Sequence, residues 1–305
     1  MEAVPVARIA ELYALERSDG IGAPADAAGW LAAVRRVLGA DVVRFDRCKS
    51  CGLEMASPRL AWPENSYPAN EDYPIRWEFE QCLKDLGSCP LSILELGCGD
   101  GQFLARAKQR GHTATGVDFN PTAVSRATAN GLSAVCGGFD QLQQHLERVG
   151  TSLAFDAVVC FHVIEHLADP DRLFDGLEPF VRAGTVLALS CPGPDRFTRL
   201  VREQQVGNRD FWDYPPHHVL RWTVPALGTY LRGRGWNVRT ARNEPLPVIG
   251  AAAHIGCTQA RRGGYVCAPV RRRCAILWAY ARLAAAALTA RVSGLSIYVT
   301  AVRRP

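Results

Sequence analysis

With 305 residues, 48% of them hydrophobic and 21% charged, the chain can bury a real core and suits one full α/β domain plus an appendage. Its eleven cysteines, an odd number scattered through apolar segments, argue against a secreted disulfide framework. The opening MEAVPVARIAELY lacks the basic-then-apolar layout of a signal peptide, so a reduced, cytoplasmic setting is expected. The net charge of +5 is uneven: Pro245 to Pro305 holds nine arginines and no lysine or acid, hence +9, and the remainder carries −4. That asymmetry points either to an anionic partner or to a solvated arginine-rich helix. The longest apolar run there, Cys274 to Thr289, contains Arg282 and is too short to span a bilayer, so no transmembrane segment is expected.

In chain order, residues 1 to about 40 carry helical spacing (Val6, Ile9, Leu12, Leu15, then Trp30, Leu31, Val34, Leu38), broken by Gly20 to Pro24. The next twenty residues predict two short strands around Cys48-Lys49-Ser50-Cys51-Gly52. Such a turn is shaped like a zinc knuckle, but a structural zinc wants four ligands, so a metal-free hairpin is the alternative. Pro63 to Tyr73 is rich in turn residues and predicts a hinge or lid before a helix over Ile75 to Leu86, which closes an N-terminal appendage at residue 87. The main domain, 88–305, then alternates strands and helices. Strands are predicted at Leu91–Leu96, Thr113–Val117, Leu132–Cys136, Phe155–Cys160 and Thr185–Ser190, with helices at Gly101–Arg110, from Pro121, and at Asp140–Val149 and Pro170–Val181. Helix Val224–Arg234 and strand Trp236–Thr240 follow. An arginine-rich helical insert, 243–294, precedes a last strand at Leu295–Val302. Short connections between alternating elements predict a Rossmann-like, doubly wound, mostly parallel sheet of seven strands with an antiparallel final strand.

Ligands in such sheets sit at the carboxyl ends of the strands, where the unusual residues of this chain collect. After the first strand of the main domain, Gly97, Gly99 and Gly101 alternate with Cys98 and Asp100, and Glu95 precedes the turn. Glycine lets the backbone approach a ligand while the first amides of the next helix point into the same space. Asp118 ends the second strand, where a carboxylate accepts both hydrogen bonds of a ribose diol, as adenosine cofactors require.

The GxGxG turn, Asp118, FDAVVCFHVIEHLADP (155–170) and VLALSCPG (186–193) together resemble the class I S-adenosylmethionine-dependent methyltransferases, over about residues 90 to 240 and the final strand. The resemblance implies that Glu95, Gly97, Gly99 and Gly101 shape the pocket for the amino acid half of the cofactor and that Asp118 binds the ribose. It also implies that Phe119 lies along the adenine, that Gly138 and Phe139 flank the base, and that Cys160 and Phe161 line the methionine portion. The pattern His162-Val163-Ile164-Glu165-His166 is also a metalloprotease pattern, though here it directly follows a buried strand. Ubiquinone-pathway O-methyltransferases and small-RNA 2′-O-methyltransferases resemble this stretch with a Glu-x-x-Glu-His that holds a divalent ion. A metal set of His162, Glu165, His166 and one histidine of the 217–218 pair is therefore an alternative. The loop Asp213-Tyr214-Pro215-Pro216-His217-His218 resembles one that covers the substrate in a bacterial branch. His166, His218, His217 and Glu165 are accordingly the candidate catalytic residues, with histidine suited to act as base.

The expected activity is methyl transfer from S-adenosylmethionine to a small, anionic or hydroxylated acceptor held by the C-terminal arginines, with RNA the runner-up acceptor, though the sequence holds no RNA-binding module, and a homodimer contemplated. The apolar residues of the arginine helix, Leu277, Trp278 and Leu288, fit core packing, a dimer face or a membrane surface. A nicotinamide oxidoreductase and a catalytically silent cofactor-binding protein are the rivals from other classes.

Overall fold

The computed structural model describes residues 2–16, 26–63, 76–200, 205–206, 209–253, 255, 269–288 and 292–305. The N-terminal part comprises β1 (Glu2–Pro5), α1 (Val6–Glu16), α2 (Ala27–Leu38), β2 (Val42–Arg47), β3 (Glu54–Ser57) and α3 (Trp77–Leu86). The alternating region runs β4 (Ser92–Leu96), α4 (Gln102–Gln109), β5 (Thr113–Asp118), α5 (Pro121–Ala129), β6 (Ser133–Cys136), α6 (Phe139–Val149), β7 (Ala157–Phe161), α7 (Pro170–Leu177) and β8 (Val186–Pro192). After it come a small hairpin of β9 (Gln205–Val206) and β10 (Arg209–Asp210), then β11 (Leu220–Arg221), α8 (Val224–Gly233), β12 (Trp236–Asn243), α9 (Pro269–Leu288) and β13 (Ser296–Arg303).

The seven-stranded sheet has the order β12-β13-β8-β7-β4-β5-β6. Strands β4 to β8 pair in parallel, while β13 is antiparallel to both β8 and β12. All five residues of β7 are buried, as a central strand covered on both faces demands. Strand β4 lies between β5 and β7, so the direction of winding reverses there and a crevice opens at its carboxyl end. Local chemistry fixes the elements around it. The Asn120 side chain accepts from the Thr122 and Ala123 amides and Pro121 takes the first helical position, which starts α5 immediately after β5. Helix α7 ends at Leu177, short of the predicted Val181, because Pro179 has no amide to donate, and a 3-10 turn, Glu178–Phe180, follows.

Two features differ from the sequence reading. Glu2–Pro5 forms a strand on β2 rather than a helical turn, with Val4 opposite Val43, and the helix begins at Val6. Leu220 and Arg221 pair with Met55 and Glu54, so the N-terminal sheet has the order β1-β2-β3-β11 and its last strand comes from the far side of the main domain. A two-residue strand carries no periodicity, so nothing in the sequence announces it. One buried cluster runs continuously from Ile9, Tyr13 and Trp30 through Trp222 and Leu227 to Leu94 and Leu189, while α3 packs Phe79 and Leu83 on the other face of the large sheet. Apart from Pro63, the predicted hinge lies outside the described residues. No helix among the described residues is long and apolar enough to cross a membrane.

Candidate active site

The turn after β4 is a cradle that side chains would fill. Gly97, Gly99 and Gly101 all have positive φ (75°, 52° and 85°), and a Cβ on Gly97 would lie 2.5 Å from Val163 Cγ2. The Asp118 carboxylate, at the end of β5, accepts from the Gly99 amide (2.8 Å) and the Asn120 amide (2.8 Å). It thereby ties the glycine turn to the start of α5. Burial raises the Asp118 pKa despite these two bonds. Glu95 is 3% exposed, and its Oε2 is buried without a hydrogen-bond partner. Burial, with Asp118 and Asp100 nearby, pushes its pKa well above the usual carboxylate range. A buried, unsatisfied carboxylate beside a backbone cradle is a site waiting for a cationic ligand group, which fits the aminoacyl end of S-adenosylmethionine.

Beyond β7 the chain enters the left-handed region at His162 (φ 55°) and makes a 3-10 turn over Ile164–His166. His162 and His166 therefore do not share an α-helical face as a metalloprotease pattern requires. His162 Nε2 lies 2.8 Å from Glu78 Oε1 and 2.9 Å from Ser296 Oγ, and its Nδ1 lies 3.3 Å from Glu165 Oε1. Burial opposes a charge on His162, yet the two carboxylates raise its pKa overall. Burial likewise opposes ionisation of Glu165, but His162 beside it helps bring its pKa down to about 2. The result is a buried Glu78–His162–Glu165 chain that delivers a carboxylate to the next pair of histidines.

Those histidines converge from two segments. His166 Nε2 and His218 Nε2 lie 3.9 and 4.0 Å from Glu165 Oε1. The Nδ1–H of His166 donates to the His217 carbonyl (2.8 Å), and His218 Nδ1 lies 3.4 Å from Asp213 Oδ1. Burial lowers the His166 pKa to about 4, so this imidazole is neutral. Although burial works against it, the Arg196 guanidinium, 2.7 Å away, and His218 hold the Asp213 carboxyl far below its ordinary range. The ring of His217 is 4.5 Å from that of His218 and 4.8 Å from that of His166. Ligand atoms of all three histidines lie within 4.8 Å of one another. The loop is held because Val219 N donates to Glu165 O (2.9 Å) and β11, directly after it, is a strand of the N-terminal sheet.

A cavity of about 70 Å³ adjoins this cluster, lined among others by Glu165, His218, Asp213, Trp222, Arg196 and Arg47. Among the described residues its arginines are Arg47, Arg196 and Arg221. Sequence reasoning missed Asp213, Arg196, Glu78 and Ser296. Asp213 had a signal in its spacing of five from His218, whereas Glu78 and Ser296 come from the appendage and the last strand and had none.

The structure brings Glu95, Gly97, Gly99, Gly101 and Asp118 together, and Glu165, His166, His217 and His218 together. Phe119 is 46% exposed beside Gly138, with its Cζ 3.4 Å from where a Gly138 Cβ would stand. Phe139, in contrast, stacks on Phe180 (5.6 Å, 23°) and fills the space beside Gly176. Phe161 is likewise committed to the core, 5.2 Å from both Phe79 and Phe103. Cys160 is 1% exposed and packs in the main core, where burial pushes its thiol far up. For Phe161 this follows from strand alternation: as the last residue of β7 it faces the sheet side that carries Phe79 and Phe103. Cys48 and Cys51 sit half-buried on the β2–β3 turn. Among the described residues the three histidines form the one group of three or more candidate metal ligands, so the two cysteines stand as a pair.

Comparison with known proteins gives the family and the fold. Residues 59–241 match the family model described as "Methyltransferase domain". Curated relatives include the ubiquinone biosynthesis O-methyltransferase of Rickettsia conorii, 26% identical over 121 residues (38% of this chain, 39% of that protein). Another is the enzyme of the same name from Xanthomonas oryzae pv. oryzae, 28% identical over 119 residues (38% and 48%). The match thus spans less than half the length of these relatives. Among solved structures, phosphoethanolamine N-methyltransferase 2 of Haemonchus contortus, in complex with S-adenosyl-L-methionine, superposes with a TM-score of 0.51 at 15% identity, covering 77% of this chain and 54% of that one. The chain belongs to the methyltransferase-domain family and has the fold of the class I S-adenosylmethionine-dependent enzymes.

Proposed function

We propose that the protein methylates a hydroxyl oxygen of a small, anionic acceptor, with S-adenosylmethionine as donor and His218 as general base. The observation that carries this reading is the Asp213–His218 pair at the wall of a cavity that also presents Glu165. The name of the two relatives, O-methyltransferase, supports oxygen as the atom methylated.

When bound, S-adenosylmethionine supplies a methyl group on a sulfonium, which a positioned nucleophile takes by in-line displacement. Glu95, the glycine turn and Asp118 would hold it, leaving the cavity by Glu165 to the acceptor. With Nδ1–H given to Asp213, His218 presents a lone pair at Nε2 and takes the acceptor's hydroxyl proton there. The Asp213 carboxylate, fixed by Arg196, stabilises the imidazolium that results. Neutral His166, with its Nδ1–H given to the His217 carbonyl, offers a second acceptor nitrogen beside Glu165. Arg47, exposed at the cavity rim with Glu54 3.8 Å away, is the cation placed to meet an anionic acceptor.

One observation favours a metal-assisted form of the same reaction. The clustered ligand atoms of His166, His217 and His218, next to Glu165, make a borderline set suited to zinc, iron or manganese rather than magnesium. In both His166 and His218 the Nδ1 is already engaged with an oxygen, as in metal-binding histidines. His162, turned toward Glu78 and Ser296, is not part of this set.

The test is transfer of labelled methyl to a panel of hydroxylated carboxylates and phosphates, with and without a chelator. His218→Gln should leave donor binding intact and lower turnover by ~10²–10⁴-fold. Undiminished turnover in that variant removes His218 as base, and loss of activity on chelation, restored by one metal, selects the metal-assisted form.

A further inference from the structure

The arginine-rich helix has an apolar outer face. Helix α9 buries Ala279 and Leu283 in a small cluster with Phe197, Ala251, Ala252 and Ile255. On the opposite side Leu277 is 69% exposed and Trp278 57% exposed, and Cys274 and Ala281 are exposed with them. Positions 274, 277, 278 and 281 follow helical spacing and form one stripe, with Tyr280 exposed along its border. A leucine and a tryptophan adjoining on an outer face are a sign of a contact surface rather than of ordinary solvent exposure. By helical periodicity Arg282 falls at one edge of the stripe. The Arg282 guanidinium lies 4.7 Å from the centre of the Trp278 ring.

Charge decides what can cover this face. The segment from Pro245 to Pro305 carries nine arginines and no acidic residue. A second copy laid on the stripe would bring two such segments together, and like charges disfavour that pairing. A nucleic acid would satisfy the arginines but leave Leu277 and Trp278 without an apolar partner. An anionic lipid surface answers both needs, since acyl chains accept the stripe and headgroup phosphates meet Arg282 at its edge and the positive charge of the segment. We propose that α9 lies in the plane of an anionic membrane surface, with Leu277 and Trp278 inserted at the headgroup–acyl boundary. The helix does not cross the bilayer; it rests on it, through side chains separate from the proposed donor and acceptor sites.

The full-length protein is mixed with vesicles of phosphatidylglycerol or of phosphatidylcholine and floated on a density gradient at low and high salt. Flotation with phosphatidylglycerol alone, diminishing with salt, is expected. Leu277→Ser combined with Trp278→Ser should weaken partitioning at least ~10-fold, and Arg282→Gln about fivefold. Leu277 and Trp278 are exposed, so the thermal midpoint of the double variant should stay at the wild-type value. A blue shift of tryptophan fluorescence on adding vesicles should vanish in Trp278→Phe. The proposal fails if phosphatidylglycerol vesicles do not float the protein at low salt, or if the double variant floats as well as the wild type. It also fails if light scattering without lipid shows a dimer that the double variant dissociates, which assigns the stripe to a second copy.

Discussion

Glu95→Gln separates the stability of the protein from its ability to bind the donor. In the ligand-free protein the Glu95 carboxyl is buried, one oxygen lacks a partner, and its pKa is raised well above the ordinary value. The unfolded chain ionises this group near pH 4.5, whereas the folded chain keeps its proton to higher pH. Between those limits the folded state binds the extra proton, so stability falls as pH rises, by about 1.4 kcal/mol per pH unit. Below pH 4.5 both states are protonated and the penalty is absent. Glutamine cannot ionise and removes this slope, while its buried amide still needs partners, at a cost of roughly 1–3 kcal/mol if they are missing. The two effects oppose each other, so the melting temperature of the variant relative to that of the wild type should rise as pH increases from 5 to 8. Donor binding moves the other way. Loss of a charge-assisted bond of roughly 1.5–3 kcal/mol corresponds to about 10–100-fold weaker affinity. Melting curves from pH 5 to 8 and calorimetric titration with S-adenosylmethionine measure both. Parallel pH profiles for the two proteins, or donor affinity unchanged within about twofold, would refute the account of Glu95.

Two further substitutions probe the same pocket. Asp118→Ala removes the acceptor for the Gly99 and Asn120 amides and should weaken S-adenosylmethionine binding at least ~10-fold by calorimetry; wild-type affinity would leave Asp118 a purely structural cap. Gly97→Ala places a methyl against Val163 at a positive φ. It should lower stability by roughly 1–2 kcal/mol from backbone strain alone, and the loss should shrink when Val163→Ala is added, whereas simple additivity of the two changes would show that the clash is not the cause.

The parts of the fold legible in the sequence are those governed by local periodicity. Strands β4 to β8, the glycine turn and Asp118 stand where alternation and turn chemistry put them, because each rests on a few neighbouring residues. The illegible parts depend on contacts across long separations. Glu78 meets His162 and Ser296 from opposite ends of the chain, and no spacing encodes that meeting. Phe139 and Phe161 show a second limit: a motif tells where a residue stands along the chain, but which layer receives its ring is decided by Gly176, Phe79 and Phe103. The expectation that the C-terminal arginines hold the acceptor rested on charge count, which has no geometry; among the described residues the cavity draws its cations from Arg47, Arg196 and Arg221.

Strand β11 is two residues long, yet it divides the labour of the molecule. It follows His217 and His218 after Val219 and is hydrogen-bonded to β3, so the N-terminal sheet acts as a mould against which the histidine-bearing loop is cast. The donor pocket owes nothing to that mould, being made by β4, β5 and their turns. If the proposed sites hold, donor chemistry and acceptor choice are separable inheritances: grafting a different hairpin beside β11 should reshape the wall carrying Arg47 and Glu54 while Gly97 and Asp118 stay as they are.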